Sequence, residues 1–218
     1  MIRETSEDIY SGMEHAVTDQ VFEAVKITTR TACERIARFA FESARAANRK
    51  KVTIVHKSNI MKHSDGMFLR TGQAVGADYP DIETDEVIVD ALCMRLVKNP
   101  EWFDVLLTGN LFGDIVSDLC AGLAGGITAA PSASYGDGVA LFENPHGLAP
   151  GLVGTGRANP IPMLRTAVLM LEHLNETSAA KRIDEAIVKA SKEGLRTVDM
   201  GGDDGCAAVQ AAVLNHLD

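Results

Sequence analysis

Asp114 and Asp118 lie four residues apart in "GNLFGDIVSD", residues 109–118, so a helix there carries both carboxylates on one face. Like charges at this spacing repel, and a purely structural helix gains little from them. A hard divalent cation resolves the conflict, because Mg²⁺ or Mn²⁺ takes oxygen ligands and keeps water or substrate oxygens in its shell. From spacing alone, a solvated helix face accounts for the pair equally well. Other polar residues close apolar runs: "VTIVHK" ends at His56-Lys57 with Asn59 after it, "VIVD" ends at Asp90, and "VLLTGN" ends at Asn110. Ligands of open α/β sheets gather at the carboxyl ends of the strands. Three carboxylates, a lysine and an asparagine could therefore meet in one cleft. Asp90 equally suits an N-cap, and Lys57 a plain surface position. In "IRETSEDIYSG", Arg3 is a candidate carboxylate binder and Tyr10 a candidate proton donor.

The elements that must position these groups alternate between strand and helix. "KKVTIVHK", "DEVIVDA" and "FDVLLTGN" read as buried strands. Before the first of these, "TTRTACERIARFAFESARAANRK" has Ala32, Ile36, Phe39 and Ala40 at helical spacing. "ALCMRLVKNP" is a helix stopped at Pro100, and "LFGDIVSDLCAGLAGG" one ended by Gly125 and Gly126. This order predicts an α/β fold with a largely parallel sheet. A Gly- and Pro-rich stretch follows, with "VALFE" as an embedded strand, and then three helical patterns, "MLRTAVLMLEHL", "SAAKRIDEAIVKASKEG" and "CAAVQAAVLNHL". The expected division is a first domain over 1–124 and a mostly helical second over 125–218. Helices of this kind usually cover a sheet, and the strands they should cover are hardly represented in the sequence.

Composition sets the boundaries. The 218 residues are 46% hydrophobic and 23% charged, ordinary for a globular chain, and the formal net charge is -9. That charge argues against unspecific nucleic-acid binding, which needs a basic surface. No apolar run is long enough to span a membrane and "MIRETSEDIY" has no signal-peptide pattern, so the cytoplasm or an organelle matrix is the expected location. Cys33, Cys93, Cys120 and Cys206 match no zinc spacing and read as small buried hydrophobes. "HGLAPGLVGTGRANP" is not G-x-G-x-x-G, and G-x-x-x-x-G-K-[ST] does not occur. Its backbone N–H groups could still wrap a nucleotide.

Five blocks in order, "RETSEDIYSG", "VHKSNIMKHSDGMF", "IVDALCMRLVKNPEWFDVLLTGNLFGDIVSDLCAGLAGG", "FENPHGLAPGLVGTGRANP" and "RTVDMGG", together resemble the β-decarboxylating isocitrate and isopropylmalate dehydrogenases. The resemblance implies the isopropylmalate dehydrogenase-like fold. It implies metal ligation by Asp114 and Asp118, with Asp90 supplied by the partner subunit. Lys57, also across the dimer, and Tyr10 correspond to catalytic residues. Arg3 and Asn59 correspond to substrate-side residues, and His146, Gly147, Ala149 and Asn159 to an adenosine-binding loop. The implied cofactors are Mg²⁺ or Mn²⁺ and a nicotinamide dinucleotide. The implied chemistry is loss of the substrate hydroxyl proton to a base involving Lys57, hydride transfer, loss of CO₂, and protonation of the enolate by Tyr10.

"SEDIYSG" resembles the isocitrate enzymes more than the T-G-G-I-Y form of the isopropylmalate enzymes, so isocitrate is the first choice, with isopropylmalate, tartrate and homoisocitrate as alternatives. Asp199 in "RTVDMGG" looks like the NAD type, whereas Gly151-Leu152 after "HGLAP" matches neither the NAD nor the NADP pattern; NAD is preferred to NADP. Family members carry roughly a hundred residues before the "IRE" strand, on the scale of half a domain. Their lack here is expected to leave a small domain that looks complete and only the C-terminal helical part of the nucleotide domain. The expected partner is a second copy or a related subunit. A non-catalytic chain pairing with a full-length relative is the competing reading.

Overall fold

A computed structural model describes residues 1–126 and 130–217. The chain forms two units, Met1–Cys120 and Ala121–Asp218. The division falls inside a helix, a little before the 124/125 boundary read from the sequence.

The first unit is built on a four-stranded parallel sheet in the order β1-β6-β4-β5, with β1 at Ile2–Arg3, β4 at Lys51–His56, β5 at Glu83–Ile88 and β6 at Val105–Thr108. The β4 strand is central because Val52, Thr53, Ile54 and Val55 are all buried, as suits a parallel strand covered on both faces. Its alternation separates two cores. Val52 and Ile54 pack with α1 (Arg30–Ala46) and α2 (Ser64–Gly76). Val55 packs with α3 (Val89–Lys98) and α4 (Asn110–Leu123) on the other face. Thr29 caps α1, its hydroxyl accepting the Ala32 N–H at 3.2 Å. The buried stripe of α1 is Ala32, Cys33, Ala37, Ala40, Phe41 and Ala44, so Ala32 and Ala40 are buried as expected while Ile36 and Phe39 are only partly buried.

Two features of this unit were not expected. The α2 helix contains Gly66, Gly72 and Gly76, which lower helix propensity. Close packing accounts for two of them: a Cβ at Gly76 would stand 2.4 Å from Thr84 Oγ1, and one at Gly72 would stand 2.8 Å from Ile54 Cδ1. The other feature is an antiparallel hairpin of β2 (Glu14–Thr18) and β3 (Val21–Ala24), every residue of which is exposed, Val17, Val21 and Phe22 included. A lone two-stranded ribbon is marginal in water.

The second unit holds α5 (Ile161–His173), α6 (Thr177–Lys192) and α7 (Cys206–Asn215) around Ile161, Ala186, Ile187, Val209 and Val213. Its strands are a hairpin, the expected β8 (Val139–Glu143) and an unexpected β7 (Ser132–Gly136), turned at Asp137-Gly138 where Gly138 has φ +71°. Tyr135, Phe142 and His173 form a ring cluster between hairpin and α5, and the Thr166 hydroxyl donates to Asn144 Oδ1 at 2.8 Å. Met163 of α5, Leu174 just beyond its end and Leu214 of α7 remain exposed.

Candidate active site

All four strands of the parallel sheet end at the same edge, and the polar residues singled out in the first unit follow those ends. Arg3 closes β1 and lies in register with Thr108 of β6. Its guanidinium is fixed by the buried Asn110, donating from Nη2 to Oδ1 at 2.7 Å and from Nε to the carbonyl at 3.0 Å. Asn110 in turn donates to the Glu7 carbonyl at 2.9 Å. Thus held, Arg3 pairs through Nη1 with Asp114 at 2.7 Å. The Tyr10 hydroxyl donates to the other oxygen of Asp114 at 2.7 Å, and the guanidinium lies 5.5 Å from the Tyr10 ring centre. Tyr10 is half exposed, carried on a short 3₁₀ turn, Ile9–Ser11.

This cluster has a defined electrostatic character. The hydrogen bond to Asp114 pushes the Tyr10 phenol above its ordinary value, and the same bond, followed by the nearby Arg3, holds the Asp114 carboxyl low. Tyr10 therefore keeps its proton over the whole neutral range while Asp114 stays ionised.

A second pair forms at the ends of β4 and β5, where the Lys57 ammonium donates to the Asp90 carboxylate and lowers the Asp90 pKa. Asp90 is the second residue of α3, since β5 ends at Ile88; Ile88, without a side-chain bond, occupies the N-cap. Asp90 is thus not the cap, although a carboxylate in the first turn still suits the helix dipole. Asn59 is exposed in the turn that the Ile60 and Met61 N–H groups close onto the Lys57 carbonyl.

One chain does not gather the three aspartates. Among the described residues no three His, Cys, Asp or Glu side chains converge as a metal site. The reason lies in the strand order: β4 lies between β5, which leads to Asp90, and β6, which leads to Asp114. The single cleft anticipated from the strand ends is corrected to two separate clusters. Asp118 is exposed, one turn beyond Asp114, and its side chain has no ion pair among the described residues. Two carboxylates on one exposed face fit a hard cation as part of a ligand set, the remainder coming from elsewhere.

Sequence reasoning missed the groups beneath these clusters. Lys26 Nζ lies 2.8 Å from Asp65 and 3.4 Å from Asp8, both carboxylates almost wholly buried. The only sequence signal was a lysine isolated in the apolar run "AVKIT".

In the second unit, Asn159 Nδ2 donates to Asp199 at 3.0 Å, and the Thr197 hydroxyl donates to the other oxygen at 2.5 Å. Asn159 Oδ1 also accepts the Ile161 N–H at 3.0 Å, at the start of α5. Ala149 has φ +43°, uncommon for a residue with a Cβ, and precedes the turn Pro150–Leu152. His146 Nδ1 lies 3.0 Å from the Gly147 carbonyl, and Leu148 beside them is 97% exposed. Asn159 and Asp199 are thus brought together, while His146, Gly147 and Ala149 line an open loop.

Gly113 makes the first cluster possible. A Cβ there would stand 2.5 Å from Arg3 Cγ and 2.5 Å from Thr108 Oγ1. Gly113→Ala is expected to displace Arg3 from Asp114 and, by taking away the guanidinium that lowers the Tyr10 phenol while its bond to Asp114 remains, to raise that phenol further above its ordinary value; a spectroscopic phenol titration of the variant and wild type, with Tyr10→Phe to assign the signal, measures this.

The site and sheet define an α/β protein with two clusters of charged and hydrogen-bonding side chains at the carboxyl edge of a parallel sheet. The isocitrate/isopropylmalate dehydrogenase family model matches residues 1–213. The chain is 47% identical over 218 residues to the Arabidopsis thaliana mitochondrial isocitrate dehydrogenase (NAD) catalytic subunit 6, covering 99% of this chain and 58% of that protein. It is 48% identical over 203 residues to the 3-isopropylmalate dehydrogenase of Archaeoglobus fulgidus, covering 93% of this chain and 62% of that one. A crystal structure of isocitrate dehydrogenase from Methylococcus capsulatus matches with a TM-score of 0.93 at 44% identity, over 99% of this chain and 66% of that chain. The chain belongs to the isocitrate/isopropylmalate dehydrogenase family. It spans somewhat under two thirds of the length of these curated relatives.

Proposed function

We propose that this chain serves metal-dependent oxidative decarboxylation of a 2-hydroxy acid, isocitrate first, with NAD as the coenzyme. The observation that carries the reading is the Arg3–Tyr10–Asp114 cluster on the sheet edge that also bears the Lys57–Asp90 pair. Its parts suit the chemistry. Arg3 is anchored by Asn110 with one edge of its fork turned to a carboxylate, the posture needed to receive a substrate carboxylate. Tyr10 retains its proton at Oη until a stronger base meets it. Lys57 donates from Nζ to Asp90 and is placed to exchange a proton with a substrate hydroxyl. Asp114 and Asp118 would hold Mg²⁺ or Mn²⁺, with Asp90 of a second copy completing the set. A bound cation would supply polarisation of the hydroxyl and carboxylate oxygens, and a bound nicotinamide would accept the hydride.

Asp199 favours NAD over NADP. Its oxygens accept from Asn159 and Thr197, and a carboxylate there suits ribose hydroxyl donors and repels a 2′-phosphate. The adenosine side of the cofactor is assigned to the loop of His146, Gly147 and Ala149. The exposed β2–β3 hairpin with Phe22 and Val17 supports a dimer, since such a ribbon gains its stability by being covered. The names of the plant relatives include a mitochondrial location, so mitochondria stand beside the cytoplasm as the proposed compartment.

The test is NADH production from isocitrate, by the chain alone and by the chain supplemented with the remaining part of a full-length relative. Little turnover alone and clear isocitrate- and Mg²⁺-dependent turnover after supplementation is expected. Turnover with isopropylmalate or tartrate in place of isocitrate would overturn the substrate assignment.

A further inference from the structure

We propose that Lys26 is a positioning residue that ties both catalytic clusters to one buried ammonium. The inference rests on the functional reading above for its meaning, and on geometry for its content. Lys26 follows β3 and is mostly buried, with a side-chain exposure of 18%. Its ammonium reaches Asp65 Oδ1 at 2.8 Å and Asp8 Oδ2 at 3.4 Å, and lies 5.0 Å from the Phe112 ring centre.

Each carboxylate spends its remaining capacity on backbone that carries a catalytic group. Asp65 Oδ2 accepts the Lys57 N–H at 2.6 Å. Asp8 Oδ1 accepts the Ile9 N–H at 2.8 Å, at the turn that carries Tyr10. Asp8 Oδ2 also accepts the Leu111 N–H at 3.2 Å, in the first turn of the helix that carries Asp114. Asp8 itself has φ +82°, a conformation that costs energy for a residue with a Cβ and persists only where its surroundings over-determine it. A cavity of about 20 Å³ lined by Glu4, Asp8, Lys26, Asp65 and Phe112 lies beside the network, room enough for one water.

The logic is that of a buried charge cluster. Two carboxylates this deeply buried and this close are tolerated only with a cation between them. Remove the cation and the carboxylates repel and turn apart or toward solvent. Either movement loosens the Lys57 amide, the Ile9 amide and the Leu111 amide together. The catalytic side chains then keep their identities and lose their aim. Misplacement on the scale of 1 Å is enough to cost about 100-fold in rate.

The experiment has two arms. In the first, amide hydrogen exchange is read by NMR on the full chain with Lys26→Met. Protection at Lys57, Ile9 and Leu111 is expected to fall about tenfold or more, while amides of α1 and the centre of β4 keep theirs. Unchanged protection at the three amides overturns the proposal, as does an equal loss everywhere, which marks a merely structural lysine. Should Lys26→Met fail to fold, the double variant Lys26→Met, Asp65→Asn relieves one buried charge and keeps an acceptor for Lys57, while Asp8 still lacks its cation; wild-type protection at Ile9 and Leu111 in that variant also overturns the proposal.

In the second arm, the supplemented chain is assayed. Lys26→Met is expected to lower kcat about 100-fold with a much smaller change in KM, and Lys26→Arg to restore most of it. A wild-type kcat in Lys26→Met overturns the proposal. Absence of turnover in the supplemented wild-type chain would instead sink the functional reading, and the amide arm alone then decides the role of Lys26.

Discussion

Phe41→Ala is expected to destabilise the first unit by about 3–5 kcal/mol, the range for emptying a fully buried aromatic site. Phe41 has no exposed surface, lies at the centre of the core between α1, α2 and the sheet, and stacks on Tyr79 with ring centres 5.2 Å apart. Its neighbours leave little scope for collapse into the void. Gly76 already brings the α2 backbone close, with its notional Cβ 2.9 Å from Phe41 Cζ, and Val52, Ile54 and Leu107 are tied into the sheet ladder. The loss is large against a domain stability of about 5–15 kcal/mol. Urea unfolding followed through the first unit's only tryptophan, Trp102, measures it. Leu148→Ala, at a residue 97% exposed, is the matched control and should shift stability by no more than about 0.5 kcal/mol. A Phe41→Ala midpoint equal to the control's would mean that the core described here does not carry the unit's stability.

The parts of this fold legible in the sequence are those whose pattern agrees with their environment. The β4 run "VTIV" is apolar or β-branched throughout because both its faces are covered, and it was readable for that reason. The α2 helix was not, because its glycines answer to Ile54 and Thr84 on the sheet and not to helix propensity. The β2–β3 hairpin escaped for the opposite reason: fully exposed, it has no buried face to impose an alternation. The same division holds at the site. The pairing of Asp114 with Asp118 is local and follows from helical spacing. The meeting of Arg3 and Tyr10 with Asp114 depends on β1 lying beside β6, a neighbourhood between residues about a hundred positions apart that no local pattern encodes. The resemblance to a family supplied those residues where spacing did not. Neither route pointed to Lys26, whose partners Asp8 and Asp65 come from separate segments.

The separation of Lys57 and Asp90 from Asp114 and Asp118 makes a second, sharper prediction about assembly. If each complete site takes Asp114 from one subunit and Lys57 from the other, then Lys57→Met and Asp114→Asn each abolish turnover as homodimers. Loss of about 100-fold or more is expected for either, since in the proposed reaction each removes a group that would meet the reacting atoms or their metal. Mixed, they should complement. In a heterodimer one site receives the intact Asp114 of the first variant and the intact Lys57 of the second, while the other site collects both defects. Random exchange of equal amounts makes half the dimers mixed, each with one good site of two, so activity should recover to about one quarter of wild type in a symmetric dimer. The measurement is NADH formation by the supplemented proteins, mixed, equilibrated under conditions that allow subunit exchange, and compared with the unmixed variants. Recovery requires that the two clusters act across the interface, because within a single chain every mixed dimer would still carry one defect in each site. No recovery after exchange has been verified by mass would place Lys57 and Asp114 in the same subunit's site and overturn the shared-site proposal. The strand order favours recovery: β4 separates the two clusters in one sheet, and a second copy presenting its own β4–β5 edge to Asp114 brings together what a single copy keeps apart.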